Sequence, residues 1–171
     1  YSTDYVFDGA KATPYTEDDA TNPINVYGRS KLAGEQAIQA VGAPHLILRT
    51  SWVYGARGKN FLLTILRLAR ERDELKIVDD QIGAPTWSRS IAETTAQMLA
   101  QRQSAAALAE VSGVYHLTAG GRTSWHGFTQ AILAHSPLFV GGAGKPRLLA
   151  IPTSEYPLPA KRPMNSVIDK L

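Results

Sequence analysis

The chain of 171 residues is 44% hydrophobic and 19% charged, with 18 Lys+Arg against 15 Asp+Glu and a net charge of +3. That balance suits one packed domain of ordinary size, or a large piece of something longer, and excludes a disordered polyelectrolyte. The basic residues are scattered, which argues against bulk electrostatic binding of nucleic acid, and the lack of Cys excludes disulfides, thiolate zinc sites and a Cys nucleophile. In chain order, Ser2 to Phe7 reads as a β-prone strand end before the turn signal Asp8-Gly9, and residues 10–24, rich in Pro, Thr, Asp and Asn, as a surface loop. Helix formers over 26–40, closed by Gly42 and Pro44, predict the first helix, and the apolar run 45–49 a strand buried in a parallel sheet.

A βα-type loop is expected over 50–60. Leu62, Ile65, Leu66 and Ala69 then fall at helical spacing and predict an amphipathic helix over about 60–72, followed by a short strand at 76–78. Gly83-Ala84-Pro85-Thr86 punctuates the chain before one long helix over about 88–109, with Ile91, Thr95, Met98 and Leu99 turned inward. Residues 114–117 read as a strand, Gly120-Gly121 as a turn, and Ser124 as the N-cap of a helix reaching about His135. Strands alternating with helices predict an α/β domain, and the Pro- and Gly-rich remainder a loop-rich lobe. No window approaches eighteen consecutive apolar residues and the opening residues carry no basic-then-apolar leader, so the sequence as it stands is expected to be soluble, off the membrane and cytoplasmic.

The sharpest constellation is Tyr27-Gly28-Arg29-Ser30-Lys31, because residues at i and i+4 share one helical face. A tyrosine keeps its proton to a pH of about 10, so a Tyr that donates near neutrality needs a cation to stabilise its phenolate, and Lys31 is placed to do so. A bare Tyr-x-x-x-Lys is a weak signal. Its context adds weight: the strand ends at Thr3 and Trp52 flank it, and ligands of open parallel sheets bind beyond the carboxyl ends of strands. The four histidines show no metal-ligand spacing and read as structural or solvated. No metal site is expected.

Taken together, Ser2-Thr3-Asp4-Tyr5-Val6-Phe7-Asp8-Gly9, Tyr27-Gly28-Arg29-Ser30-Lys31-Leu32-Ala33-Gly34-Glu35, Arg49-Thr50-Ser51-Trp52-Val53-Tyr54-Gly55, Asp80-Gln81-Ile82-Gly83-Ala84-Pro85-Thr86 and Pro159-Ala160-Lys161-Arg162-Pro163 resemble the extended short-chain dehydrogenase/reductases, within them the dTDP-4-dehydrorhamnose reductase family. The resemblance implies an NAD(P)-binding Rossmann-like parallel sheet and a small C-terminal substrate lobe. It also implies that NADPH or NADH passes hydride to the C4 ketone of a dTDP-linked 6-deoxy-4-keto-L-sugar, and it is compatible with a homodimer. It makes Tyr27 the acid, Lys31 the residue that tunes it and holds the nicotinamide ribose, and Thr3 a hydroxyl bonding the tyrosine and the sugar. Asp4, Trp52, Asn60, Gln81 and Arg162 become contacts to the nucleotide-sugar, Arg162 to its diphosphate. Asn60 also reads as a helix N-cap and Gln81 as a turn residue.

One departure stands out: the strand, Gly-rich turn and helix that cradle a dinucleotide pyrophosphate are not found, since Gly141-Gly142-Ala143-Gly144 has no strand before it and no helix after it. The chain is therefore expected to be a fragment lacking the sheet's N-terminal strands, with 1–136 the later part of the reductase domain, 137–171 the substrate lobe, and weak hold on NADPH by itself. Two other readings remain open. A related nucleotide-sugar dehydratase or epimerase shares the Tyr-Lys pair, although such dehydratases place an acid where Tyr5 stands; a regulatory subunit of the methionine adenosyltransferase type would bind a partner rather than turn over substrate.

Overall fold

The computed structural model describes residues 1–142 and 144–169 and is an α/β fold. Its elements are β1 (Ser2–Thr3), α1 (Val26–Val41), β2 (Leu46–Thr50), β3 (Val53–Tyr54), α2 (Phe61–Glu71), β4 (Glu74–Val78), β5 (Ile82–Gly83), β6 (Thr86–Trp87), α3 (Ser88–Ala100), α4 (Ala105–Ala109), β7 (Gly113–His116), β8 (Thr123–Ser124), α5 (Trp125–His135) and β9 (Arg147–Ile151). The main sheet is parallel, in the order β1-β2-β7, with Thr3 opposite Thr50 and Arg49 opposite His116. Three two-stranded pairings surround it: β3 with β6 and β4 with β9, both parallel, and β5 with β8, antiparallel. Among the described residues no helix is long and apolar enough to cross a membrane.

Local chemistry accounts for the helix limits. Asn25, Asn60 and Ser124 each accept a hydrogen bond from a first-turn backbone N–H, and Gly42 ends α1 in the left-handed conformation at φ +71°. One apolar cluster joins α2, β4 and α5 through Ile65, Ala69, Leu75, Ile132, Leu133 and Phe139; a second packs Val6, Phe7, Tyr15 and Ile168 with Leu32 of α1. Between α1 and β2 lies a buried ion pair, with Arg49 Nε and Nη2 donating to the two Glu35 oxygens at 3.0 and 2.7 Å. The two-pronged geometry compensates the desolvation of both charges, so it fixes how α1 sits on the sheet.

Several expectations are corrected. The single helix over 88–109 is two helices, α3 and α4, because residues 101–104 leave the helical path, and Leu99 is exposed rather than inward. The loop over 50–60 contains β3, and the strand at 76–78 begins at Glu74. The Pro- and Gly-rich tail also holds a strand that was not expected: β9 pairs along the full length of β4, and Ile168 enters the second core cluster. In the Gly141-Gly142-Ala143-Gly144 run, Ala143 lies outside the described residues, while Gly141 and Gly142 belong to a 3-10 turn, Pro137–Gly142.

Candidate active site

At the carboxyl end of β1 the chain turns through a 3-10 helix, Asp4–Val6, whose N-cap is Thr3. The buried Thr3 hydroxyl accepts from Tyr5 N and donates to Asp4 Oδ1, both at 3.2 Å. Helix α1 lies directly on this turn. A Cβ on Gly28 would stand 2.1 Å from Tyr5 O, so only glycine lets the helix approach so closely. The close approach presents Tyr27 and Lys31, one helical turn apart, beside the end of β1.

Tyr27 is 53% exposed and meets Tyr5 edge to face, ring centroids 5.7 Å apart. Lys31 reaches back to β1 and donates from Nζ to Tyr1 O at 2.6 Å. Next to Tyr27 an open groove of about 520 Å³ is lined by Tyr5, Tyr27, Arg29, Lys161 and Arg162, among others. Burial, then the nearby Asp4 carboxylate, push the Tyr5 phenol above its ordinary value, and the positive charge of Arg162 works against them.

Asp4 faces inward. Its carboxyl is 4% exposed, and burial lifts its pKa to about 6 against the partial relief of hydroxyls from Ser166, Thr3 and Ser51. This placement does not suit the expected direct contact with a nucleotide-sugar; the carboxyl supports the turn from below.

A second group gathers at the end of β2. Trp52 takes a positive φ of 47°, rare for a bulky residue, and stacks on Trp125 with centroids 3.5 Å apart and planes 7° from parallel. A Cβ on Gly83 would fall 2.3 Å from Trp52 Cε2, so the indole rests against bare backbone. Gln81, buried, accepts from Trp125 Nε1 at 3.2 Å and donates to Thr153 Oγ1 at 3.0 Å, and that hydroxyl donates to Asp80 Oδ1 at 2.6 Å. Asn60 stands behind this group, where its side chain caps α2 by accepting from Leu63 N at 3.1 Å and ties the preceding loop by donating to Gly55 O at 2.9 Å. All of its hydrogen-bonding is internal, in line with the N-cap reading rather than a ligand contact.

The structure thus brings Thr3, Tyr27, Lys31 and Arg162 to one edge, Trp52 and Gln81 to another, and sets Asp4 and Asn60 beneath. Residues 161–169 join the two edges: Lys161 O accepts from Asn25 Nδ2, Met164 O from Ile82 N, Ser166 O from Ser51 Oγ, and Val167 O from Tyr15 N. Sequence reasoning did not single out Trp125, Asn25 or Lys161 as site residues. An aromatic immediately after the N-cap Ser124 is the one local signal for Trp125; the other two depend on a contact 136 positions apart.

Residues 1–171 match the family described as the RmlD substrate binding domain. The chain is 58% identical over 171 residues to a dTDP-4-dehydrorhamnose reductase of Burkholderia thailandensis, covering 98% of this chain and 57% of the relative, and 48% identical to that of Escherichia coli K12, covering 97% and 54%. The chain spans about half the length of the curated relatives it matches. Among solved structures, it is similar to dTDP-4-dehydrorhamnose reductase from Bacillus anthracis in complex with NADP, at a TM-score of 0.86 and 34% identity over 99% of this chain and 56% of that one. A dTDP-glucose 4,6-dehydratase from Streptomyces venezuelae, at 18% identity and a TM-score of 0.67, shares the fold alone. With a match along its whole length, the chain belongs to the RmlD substrate binding domain family.

Proposed function

We propose that this chain supplies the substrate side and the proton donor of an NADPH- or NADH-dependent reduction, in the cytoplasm, of the C4 ketone of dTDP-4-dehydro-6-deoxy-L-mannose to dTDP-L-rhamnose. The observation that carries the reading is the seating of α1 on the β1 turn through Gly28, which leaves Tyr27 on a cation-lined groove with Lys31 one helical turn further along the same helix. The names of its relatives support the substrate class. The exposed phenol and the ammonium four residues on fit the hydroxyls of a nicotinamide ribose, and the bound nicotinamide supplies hydride to C4.

In this mechanism Tyr27 gives its proton to the oxygen at C4 as the alcohol forms, and Lys31 stabilises the phenolate left behind. Arg162, with Lys161 and Arg29 on the same groove, meets the diphosphate. Trp52, backed by Trp125, forms a wall at the neighbouring strand end. Tyr5 occupies the position at which an elimination would need an acid, which disfavours the dehydratase reading.

The test is Tyr27→Phe in the full-length enzyme, followed by NADPH oxidation with the keto-sugar. Turnover is expected to fall by about 10² to 10⁴-fold, with dTDP affinity within a few-fold of the original. Near-normal turnover would remove Tyr27 from the role, and loss of water from a dTDP-hexose without net NADPH consumption would overturn the reductase reading.

A further inference from the structure

Asn25 uses both ends of its amide. Its Oδ1 accepts from Gly28 N at 2.8 Å, starting the helix that carries Tyr27 and Lys31, and its Nδ2 donates to Lys161 O, also at 2.8 Å. Asn25 is 7% exposed; its bond with Gly28 N is buried and its bond to Lys161 O partly so. The two segments it joins, residues 24–29 and 159–162, form opposite banks of the groove. No backbone hydrogen bond runs between these banks among those the described residues make.

We infer that Asn25 is a positioning residue that sets the width of the groove by locking the Lys161-Arg162 bank to the start of α1, and so fixes the cations that meet a nucleoside diphosphate. The substrate class rests on the proposed function; the positional claim does not. An N-cap alone needs only an acceptor, which Asp or Ser supplies as well as Asn. The carbonyl at Lys161 needs a donor, which those two cannot bring to it: Asp has none, and the Ser hydroxyl is too short to cap and reach it together. The two functions can therefore be separated by substitution.

Lys161 O belongs to the very peptide bond that trypsin cuts after Lys161, so release of the bank is read directly. In Asn25→Asp and Asn25→Ser, cleavage after Lys161 should quicken about tenfold, while cleavage after Lys59, in a distant exposed loop, and the helical circular dichroism stay unchanged. The dissociation constant for dTDP, used as the probe, should rise by five- to tenfold in both. Asn25→Ala, losing cap and tether, should alter the helical signal as well. Unchanged cleavage after Lys161 in both capping variants would overturn the inference. Failure of the unsubstituted chain to bind dTDP at millimolar concentration would instead count against the nucleotide-sugar reading, with the cleavage result still deciding what Asn25 does.

Discussion

The ends of β1 and β2 lie side by side in one sheet and are built by similar means to different purposes. Each depends on a glycine that admits a close approach, Gly28 under Tyr5 O and Gly83 under the Trp52 ring. At β1 what approaches is backbone, and the aromatic tip beside it, Tyr27, stays exposed. At β2 what approaches is a side chain, and the aromatics cover one another. Under the proposed function Tyr27 must meet solvent and substrate, whereas Trp52, as a wall, gains from burying its faces. Rigid backbone against backbone suits the former, because it seats the helix while leaving the phenol half exposed, met edge to face by Tyr5.

The contrast can be broken at five points, beginning with the largest effect. Gly28→Ala places a methyl 2.1 Å from a backbone oxygen that cannot swing away, so it should cost about 3 kcal/mol in chemical denaturation. A loss below about 1 kcal/mol would mean that α1 is seated more loosely than its geometry states. Gly83→Ala faces an indole that can tilt, and its cost should be smaller than that of Gly28→Ala.

Asp4 beneath the β1 turn makes a pH-dependent prediction. Its carboxyl holds its proton to about pH 6 in the folded protein but to about 3.8 in an unconstrained chain, so the folded state binds more protons in that window. Stability from this group is therefore present below pH 4, falls as pH rises through 6, and is flat above. Asp4→Asn should remove the decline and raise stability at pH 7 by on the order of 3 kcal/mol. Urea melts across pH 4 to 8 test it; a wild-type curve rising through that window because of Asp4 would contradict the buried placement.

At the β2 end, Trp125→Ala strips the cover from Trp52 and leaves Gln81 without one of its partners. About 2 kcal/mol should be lost, with a red shift in Trp emission as Trp52 meets water. Emission unchanged in position would show that Trp52 is shielded by something other than the stack. Asn60→Ala should be the mildest, about 1 kcal/mol, as expected of a lost cap. Should Asn60→Ala instead weaken dTDP binding tenfold without loss of stability, the ligand-contact reading of Asn60 would return.

The helices were legible to within a residue or two at Asn60, Ser124 and Gly42, where caps close them. The break at 101–104 was not, because its Gln, Arg and Ser residues are tolerated in helices and all stay exposed, so no change of apolar pattern marks it; the one local sign is Ser104, which caps α4 by accepting from Ala107 N. Nor was β9: a five-residue strand in a Pro- and Gly-rich tail carries little periodicity, and its partner β4 lies some seventy positions earlier. The place of Trp52 at a strand end was legible from its motif, but not its stack on Trp125, which a different element delivers.

What the sequence by itself determined is local: the shared face of Tyr27 and Lys31, the caps, and the alternation of strand and helix. These follow from backbone period and side-chain chemistry within one turn. The tertiary structure alone decided that Asp4 turns inward, that Gly28 seats α1 on Tyr5 O, and that Asn25 reaches Lys161. Burial and close approach depend on what arrives from the far end of the chain, and no short stretch of residues encodes its own neighbour.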